Sequence, residues 1–179
     1  MTLSNLLERL SYTLEGARKR ETEITSIIQD SRKAENGSLF IAVKGTTVDG
    51  HSFIPQVIEA GAVAVVCDKE WWNTTGKEQM QGVMDKTTFI VVDDCNLALA
   101  MLASAWNGYP SEQLTLVGVT GTNGKTTIAT LLYRLFTKLG YPCGLLSTVC
   151  NYVIDREVPA THTTPDPLEL NDLLRQMVE

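Results

Sequence analysis

The sequence predicts an α/β chain in two units, and three observations carry that reading. Short apolar runs of strand length recur at residues 38–43, 62–67 and 88–92, continuous rather than alternating. Runs of that kind suit strands of a parallel sheet buried on both faces. Segments with helical spacing lie between and after them, closed by glycine or proline. A breaker, Asn107-Gly108-Tyr109-Pro110, divides the chain, and the alternation of strand and helix starts again beyond it. The fold class is therefore a small N-terminal α/β domain over residues 1–110. It is followed over residues 111–179 by the start of a parallel-sheet domain of the P-loop ATPase kind.

Each element has its own local reason. Leu3, Leu6, Leu7, Leu10 and Leu14 recur at helical spacing, with Asn5 and Glu8 as a capping pair. Residues 24–28 and 38–43 read as strands. Residues 52–60 form a helix that Gly61 closes, and residues 62–67 form a fully buried strand. Residues 71–86 show no period and read as surface loop, with Trp71-Trp72 as a cover over the core. A strand at 88–92 and a helix at 96–106 complete the first unit. After a linker at 110–113, the second unit offers a strand at 114–119, a glycine-rich turn, a helix at 126–139 closed by Gly140, and a strand at 143–147. Asp166-Pro-Leu-Glu169 is a strong helix start, with Asp as N-cap, Pro at the first helical position and Glu two residues later. That last helix has no sheet to lie on, so the C-terminal end is expected to be loosely ordered, and the chain reads as a fragment of a longer protein.

Composition narrows the function classes. The 179 residues are 44% hydrophobic and 20% charged, within the globular range. Fifteen basic residues against 21 acidic give a net charge of −6, which leaves no electrostatic footprint for nonspecific nucleic-acid binding. No stretch approaches the ~20 apolar residues of a membrane span, and Glu8 and Arg9 interrupt the N-terminal apolar run before it could serve as a signal peptide. The four cysteines contain no C-x-x-C pair, and Cys67 and Cys95, in or beside apolar runs, read as buried free thiols of a reducing cytosol. His51 and His162 are too far apart in sequence to suggest a local metal site, and each reads first as hydrogen-bonded structure.

One motif carries chemistry by itself. Val119-Thr-Gly121-Thr122-Asn123-Gly124-Lys125-Thr126-Thr127 follows an apolar run and opens a helix, the context a phosphate-binding loop requires. Glycines let backbone N–H groups turn around the phosphates, and the helix N-terminus adds a positive dipole. Lys125 supplies a point charge to the β- and γ-phosphates, and the Thr126 hydroxyl is placed to ligate Mg²⁺. The longer G-x-x-x-x-G-K-[ST] spacing is not met, since Val119 stands at its first glycine position. The plainer alternative is a glycine turn beside a surface lysine.

Weaker pieces gain meaning from their order. Asp30-Ser31-Arg32, then Gly37-Ser-Leu-Phe40-Ile-Ala-Val-Lys-Gly45, Asp49-Gly-His51-Ser-Phe-Ile54 and Gly61-Ala62 resemble the N-terminal domain of the Mur ligases. Those are the ATP-dependent enzymes that extend the peptide on UDP-N-acetylmuramic acid. Residues 120–127 resemble their ATP loop, and Thr163-Thr164-Pro-Asp-Pro-Leu168 resembles the block typical of the members that add the third residue. The resemblance covers nearly the whole chain.

It implies an ATP-dependent amide-bond ligase of peptidoglycan precursor synthesis. Such a ligase adds meso-diaminopimelate or L-lysine to UDP-N-acetylmuramoyl-L-alanyl-D-glutamate through an acyl-phosphate. By the same resemblance, Ser31 with Thr46, Thr47 and Val48 contacts the UDP-sugar. Gly121, Thr122, Asn123, Gly124, Lys125, Thr126 and Thr127 hold ATP, with Lys125 catalytic and Thr126 on Mg²⁺. His162, Thr163 and Thr164 meet the muramoyl-peptide, His162 standing where many relatives carry Asn. The implied setting is the bacterial cytoplasm, with small-molecule substrates, a monomeric chain, and neither nucleic acid nor membrane as partner. The family's metal-binding glutamate, carbamylated lysine and third domain have no counterpart here, so the chain alone is expected to bind nucleotides weakly without turnover. Rival readings are a D-alanyl-D-alanine-adding relative, a folylpolyglutamate-type ligase and a stand-alone UDP-sugar module; the block at 30–62 argues against the second.

Overall fold

The computed structural model describes residues 1–45, 47–159 and 165–179, which divide into two compact units, Met1–Trp106 and Asn107–Glu179. The first is built on a five-stranded sheet: β1 (Thr13–Gly16), β2 (Ser26–Ile28), β3 (Ser38–Ile41), β4 (Ala64–Asp68) and β5 (Thr88–Val92), in the order β1-β5-β4-β3-β2. Strands β2 to β5 run parallel and β1 closes one edge antiparallel, Thr13 facing Val91 and Gly16 facing Thr88. The continuous apolar runs do what double burial requires, for every residue of β3 and β5 is buried.

Helices cover both faces. α1 spans Leu3–Leu6 and α2 spans Ile54–Glu59. An irregular helical stretch follows, made of α3 (Lys69–Trp71), a π-turn (Trp72–Gly76) and α4 (Lys77–Gln79). α5 spans Cys95–Trp106. On one face, Phe40, Val65, Cys67 and Phe89 pack with Ile54 and Val57 of α2 and with Trp72 and Met80 of the irregular stretch. Alternation turns Leu39, Ile41, Val66 and Ile90 to the other face, where α5 lies on β4 and α1 lies on α5. Burying a side chain of this size contributes roughly 1.5–3 kcal/mol, so this double-faced core is what holds the unit.

Two expectations for this unit are corrected. The leucine row does not make one helix to Leu14: Thr2 caps α1, which stops at Leu6, and Leu14 joins β1 because the sheet edge at β5 offers it a hydrogen-bonding ladder. The 71–86 stretch is not a loop. Trp72, Gly76 and Met80 are buried every four residues, a spacing stretched by the π-turn. Trp72 is the cover expected, with its ring 4.9 Å from that of Phe89.

The second unit contains α6 (Lys125–Lys138), the hairpin of β6 (Cys150–Val153) and β7 (Arg156–Pro159), and α7 (Pro167–Val178). α6 ends in a Schellman motif, with Tyr141 N–H donating to Phe136 O and Gly140 N–H to Thr137 O. Gly140 takes φ +89° and the rings of Tyr141 and Phe136 meet edge-on. The expected strands at 114–119 and 143–147 are not formed. Among the described residues, Leu116 and Val117 stay exposed without a neighbouring strand, and Leu145 alone of these runs pairs, with Tyr152 of β6. α7 does find a surface, since Leu173 and Leu174 are buried and the helix meets β6 and the turn at Pro110–Glu112.

Candidate functional site

The glycine-rich turn before α6 has two of its glycines on the left-handed side. Gly124 caps α6 at φ +77° and Gly121 sits at φ +145°, both left-handed-side values that a side chain resists. The first N–H groups of α6 have no intrahelical partner. Gly121, Thr122, Asn123, Gly124, Lys125 and Thr127 are exposed and Thr126 is half-buried. The Lys125 ammonium bends back over the turn and donates to Gly121 O at 2.6 Å. A cradle of free amides, one ammonium and one hydroxyl at a helix N-terminus has the chemistry to hold a polyphosphate with its divalent cation.

In the first unit the notable side chains gather at the C-terminal ends of the parallel strands, where open α/β sheets bind ligands. Ser31 opens a 3₁₀ turn after β2, capped by Asp30, whose carboxylate takes the Arg32 side chain bidentately at 2.9 and 2.7 Å. That bonding holds the Asp30 carboxyl at about 2. After β3 the chain makes an exposed loop with Thr47 and Val48 outward, closed by Gly45 N–H to Val48 O at 3.0 Å. Thr46, His162, Thr163 and Thr164 lie outside the described residues.

His51 stands behind that loop. Its Nε2 accepts the Asp68 N–H at 3.0 Å, which puts the ring proton on Nδ1, donated to Asp49 Oδ1 at 2.6 Å. Asp49 Oδ1 also accepts the His51 backbone N–H at 3.0 Å. Partial burial works against the Asp49 carboxylate, but the two His51 bonds outweigh it and hold its pKa below the ordinary value. The Asp68 carboxylate in turn accepts the Cys95 N–H at 2.9 Å. Gly50 permits this turn, because a Cβ there would lie 2.5 Å from the Val43 carbonyl oxygen.

Sequence spacing gives no local metal cluster, yet the fold brings His51, Asp68 and Cys95 donor atoms within 4.8 Å of one another. Their existing bonds make this a hydrogen-bond network rather than a vacant ligand set. The Nε2 lone pair already accepts an amide, and burial raises the Cys95 thiol pKa far above its ordinary value. Cys67 is raised likewise, first by burial, so both are inert core thiols. An open cleft of about 630 Å³ is walled by Asp49, His51, Ser52, Trp71 and Gln79.

With this geometry in hand, comparison with known proteins places the chain. Residues 23–107 match the family described as "Mur ligase family, catalytic domain", and residues 119–179 match "Mur ligase middle domain". The chain belongs to the Mur ligase family. Among curated relatives, a Parabacteroides distasonis protein named UDP-N-acetylmuramoyl-L-alanyl-D-glutamate–2,6-diaminopimelate ligase is 54% identical over 157 residues, 88% of this chain and 30% of that protein. A Cytophaga hutchinsonii protein of the same name is 50% identical over 179 residues, 100% of this chain and 35% of that protein. The chain thus spans about a third of the length of these relatives.

Solved structures agree on the fold. A UDP-N-acetylmuramoyl-L-alanyl-D-glutamate–2,6-diaminopimelate ligase matches with a TM-score of 0.66 at 22% identity, covering 99% of this chain and 33% of that one. A MurF from Acinetobacter baumannii matches at 0.56 and 24%, covering 98% and 32%. Among the described residues no helix is long and apolar enough to cross a membrane.

Proposed function

We propose that this chain supplies the UDP-sugar domain (residues 1–110) and the first part of the ATP-binding central domain (111–179) of a cytoplasmic ligase. That ligase adds a diamino acid to UDP-N-acetylmuramoyl-L-alanyl-D-glutamate. The single observation that carries the reading is the phosphate turn at the N-terminus of α6, with Gly124 left-handed and Lys125 poised over it. The names of the curated relatives favour diaminopimelate over L-lysine as the amine.

In this reading Ser31, Thr46, Thr47 and Val48 receive the UDP-sugar at the open ends of β2 and β3, and His162, Thr163 and Thr164 meet the peptide. Residues 121–127 hold ATP, whose γ-phosphoryl group passes to the peptide's terminal carboxylate with release of ADP; the amine then attacks that acyl-phosphate and expels phosphate. Lys125 releases Gly121 O to reach the phosphates, and its charge offsets what develops on the transferred group. Thr126 would hold Mg²⁺, which when bound neutralises phosphate charge. The chain alone binds without turning over.

Calorimetric titration of the purified chain tests this. UDP-N-acetylmuramoyl-L-alanyl-D-glutamate is expected to bind in preference to UDP-glucose, with the preference reduced by Ser31→Ala. ATP with Mg²⁺ is expected to bind and to lose affinity in Lys125→Ala. Equal affinity for the two UDP-sugars, or ATP binding indifferent to Lys125, overturns the corresponding half.

A further inference from the structure

His51 is 3% exposed, so little of its ring is open to a ligand at the strand ends. Its ring nevertheless spans two segments that end at the candidate substrate crevice. On one side Nε2 is fixed by the amide of Asp68, the last residue of the central strand β4, 17 residues away in sequence. On the other, Nδ1 holds the carboxylate of Asp49, whose backbone pairs with Lys44 to close the 44–49 loop. Asp68 is itself tied to the N-terminus of α5 through Cys95 N–H. The Trp71 ring lies 4.9 Å from the imidazole and covers it. Trp71 can lie there because Gly76 has no Cβ: one would meet the indole at 2.3 Å.

We infer that His51 is a positioning residue that braces the 44–49 loop against the end of β4 and so sets affinity for the UDP-sugar without contacting it. The inference rests on the proposed UDP-sugar role of that loop. Among the described residues, the loop's own ties include the turn bond from Gly45 N–H to Val48 O and the bridge between Lys44 and Asp49, while Thr47 and Val48 face outward. Where a loop is left free to sample several conformations, a ligand that selects one of them binds with affinity reduced by the fraction populated. A rigid two-ended ring removes part of that freedom in advance. A flexible side chain or a single bond would not fix the loop relative to the sheet.

The test measures two affinities on the same chain, for UDP-N-acetylmuramoyl-L-alanyl-D-glutamate and for ATP with Mg²⁺, well below the unfolding temperature. His51→Phe keeps the ring against Trp71 and loses both hydrogen bonds. It is expected to weaken the UDP-peptide roughly ten-fold while ATP stays within about two-fold. Asp49→Asn retains an acceptor for Nδ1–H and is expected to keep most of the affinity, whereas Asp49→Ala follows His51→Phe.

A merely stabilising His51 would lower the unfolding temperature and leave the affinity of the folded protein unchanged, and that result overturns the inference. Equal weakening of both ligands overturns it too. Should His51→Phe fail to fold, the contrast between Asp49→Asn and Asp49→Ala decides in the same way. Failure of the unaltered chain to bind the UDP-peptide is a different signature, since it removes the loop's substrate role and the inference with it. Normal binding by the unaltered chain and by every variant removes the inference alone.

Discussion

Replacing Gly50 by alanine probes the close approach on which the 44–51 turn depends. A Cβ on Gly50 would stand 2.5 Å from the Val43 oxygen and 2.9 Å from the Val43 nitrogen, well inside ordinary carbon contact. Neither atom belongs to a side chain that can swing away. Ala42 N–H is bonded to Val66 O at 2.9 Å and Val43 N–H to Ile41 O at 3.0 Å, so the backbone beneath is pinned to the sheet. The turn must move instead, and the bond from Gly50 N–H to Val43 O, 3.0 Å long, goes with it. That bond contributes about 1 kcal/mol, and overpacking adds about 1–3 kcal/mol.

The conformational entropy that alanine removes from the unfolded chain returns roughly 0.4–1 kcal/mol. The clash wins, with a net loss of roughly 1–3 kcal/mol and, at about 4 °C per kcal/mol, a fall of roughly 4–12 °C in unfolding temperature. Scanning calorimetry beside Gly82→Ala checks it, because a Cβ on Gly82 meets no heavy atom within 4 Å. Gly82→Ala is expected to melt no lower than the unaltered chain. If Gly50→Ala melts with it, the close-approach argument is wrong.

Gly76→Ala sets helix propensity against a collision. The site is helical, yet the new methyl meets the Trp71 ring at 2.3 Å, so a net loss of about 1 kcal/mol is expected, with a changed near-ultraviolet dichroism from the displaced indole. Leu102→Ala, at 0% exposure, is expected to cost about 2–5 kcal/mol in denaturant unfolding. Leu135→Ala, at 53%, is expected to stay within about 0.5 kcal/mol. Asp30 titrates in the folded state at about 2 against an ordinary 3.8, chiefly because of the Arg32 side-chain bond. Its contact with Arg32 is therefore complete above about pH 4 and is lost as pH falls toward 2. Carbon-detected NMR of the carboxyl is expected to give that midpoint and, in Arg32→Ala, to return it to the ordinary range; an unchanged midpoint would remove Arg32 as the cause.

These predictions fall on both sides of a division in what sequence pattern reveals. The strands β3, β4 and β5 were readable because double burial writes itself as an unbroken apolar run, which needs no knowledge of partners. The glycine-rich turn before α6 was readable for a similar reason, since apolar run, glycines, lysine and helix start lie within fourteen consecutive residues, Leu114 to Thr127. β1 was not, because Leu14 satisfied a helical spacing equally well and only the edge of β5, more than 70 residues on, decides the matter. The irregular helix at 69–79 escaped because its π-turn stretches the spacing, although Trp72, Gly76 and Met80 at i, i+4 and i+8 were the signal that remained.

His51 shows the same limit at the site itself. A lone histidine reads as structure, and here it is structure, held by Asp68 and covered by Trp71. What the one-dimensional pattern hides is that its two ring nitrogens end on different segments. Asp49, two residues away, belongs to a loop at the candidate crevice, and Asp68, 17 residues away, belongs to the central strand. A motif written in consecutive residues, Asp49-Gly50-His51, therefore encodes a long-range restraint. Asp49 supplies the loop's carboxylate, Gly50 the absence of a Cβ above Val43, and His51 the ring that reaches the sheet. Removing any of the three should loosen the same loop, and the Gly50 and His51 variants are thus two independent readings of one mechanical unit.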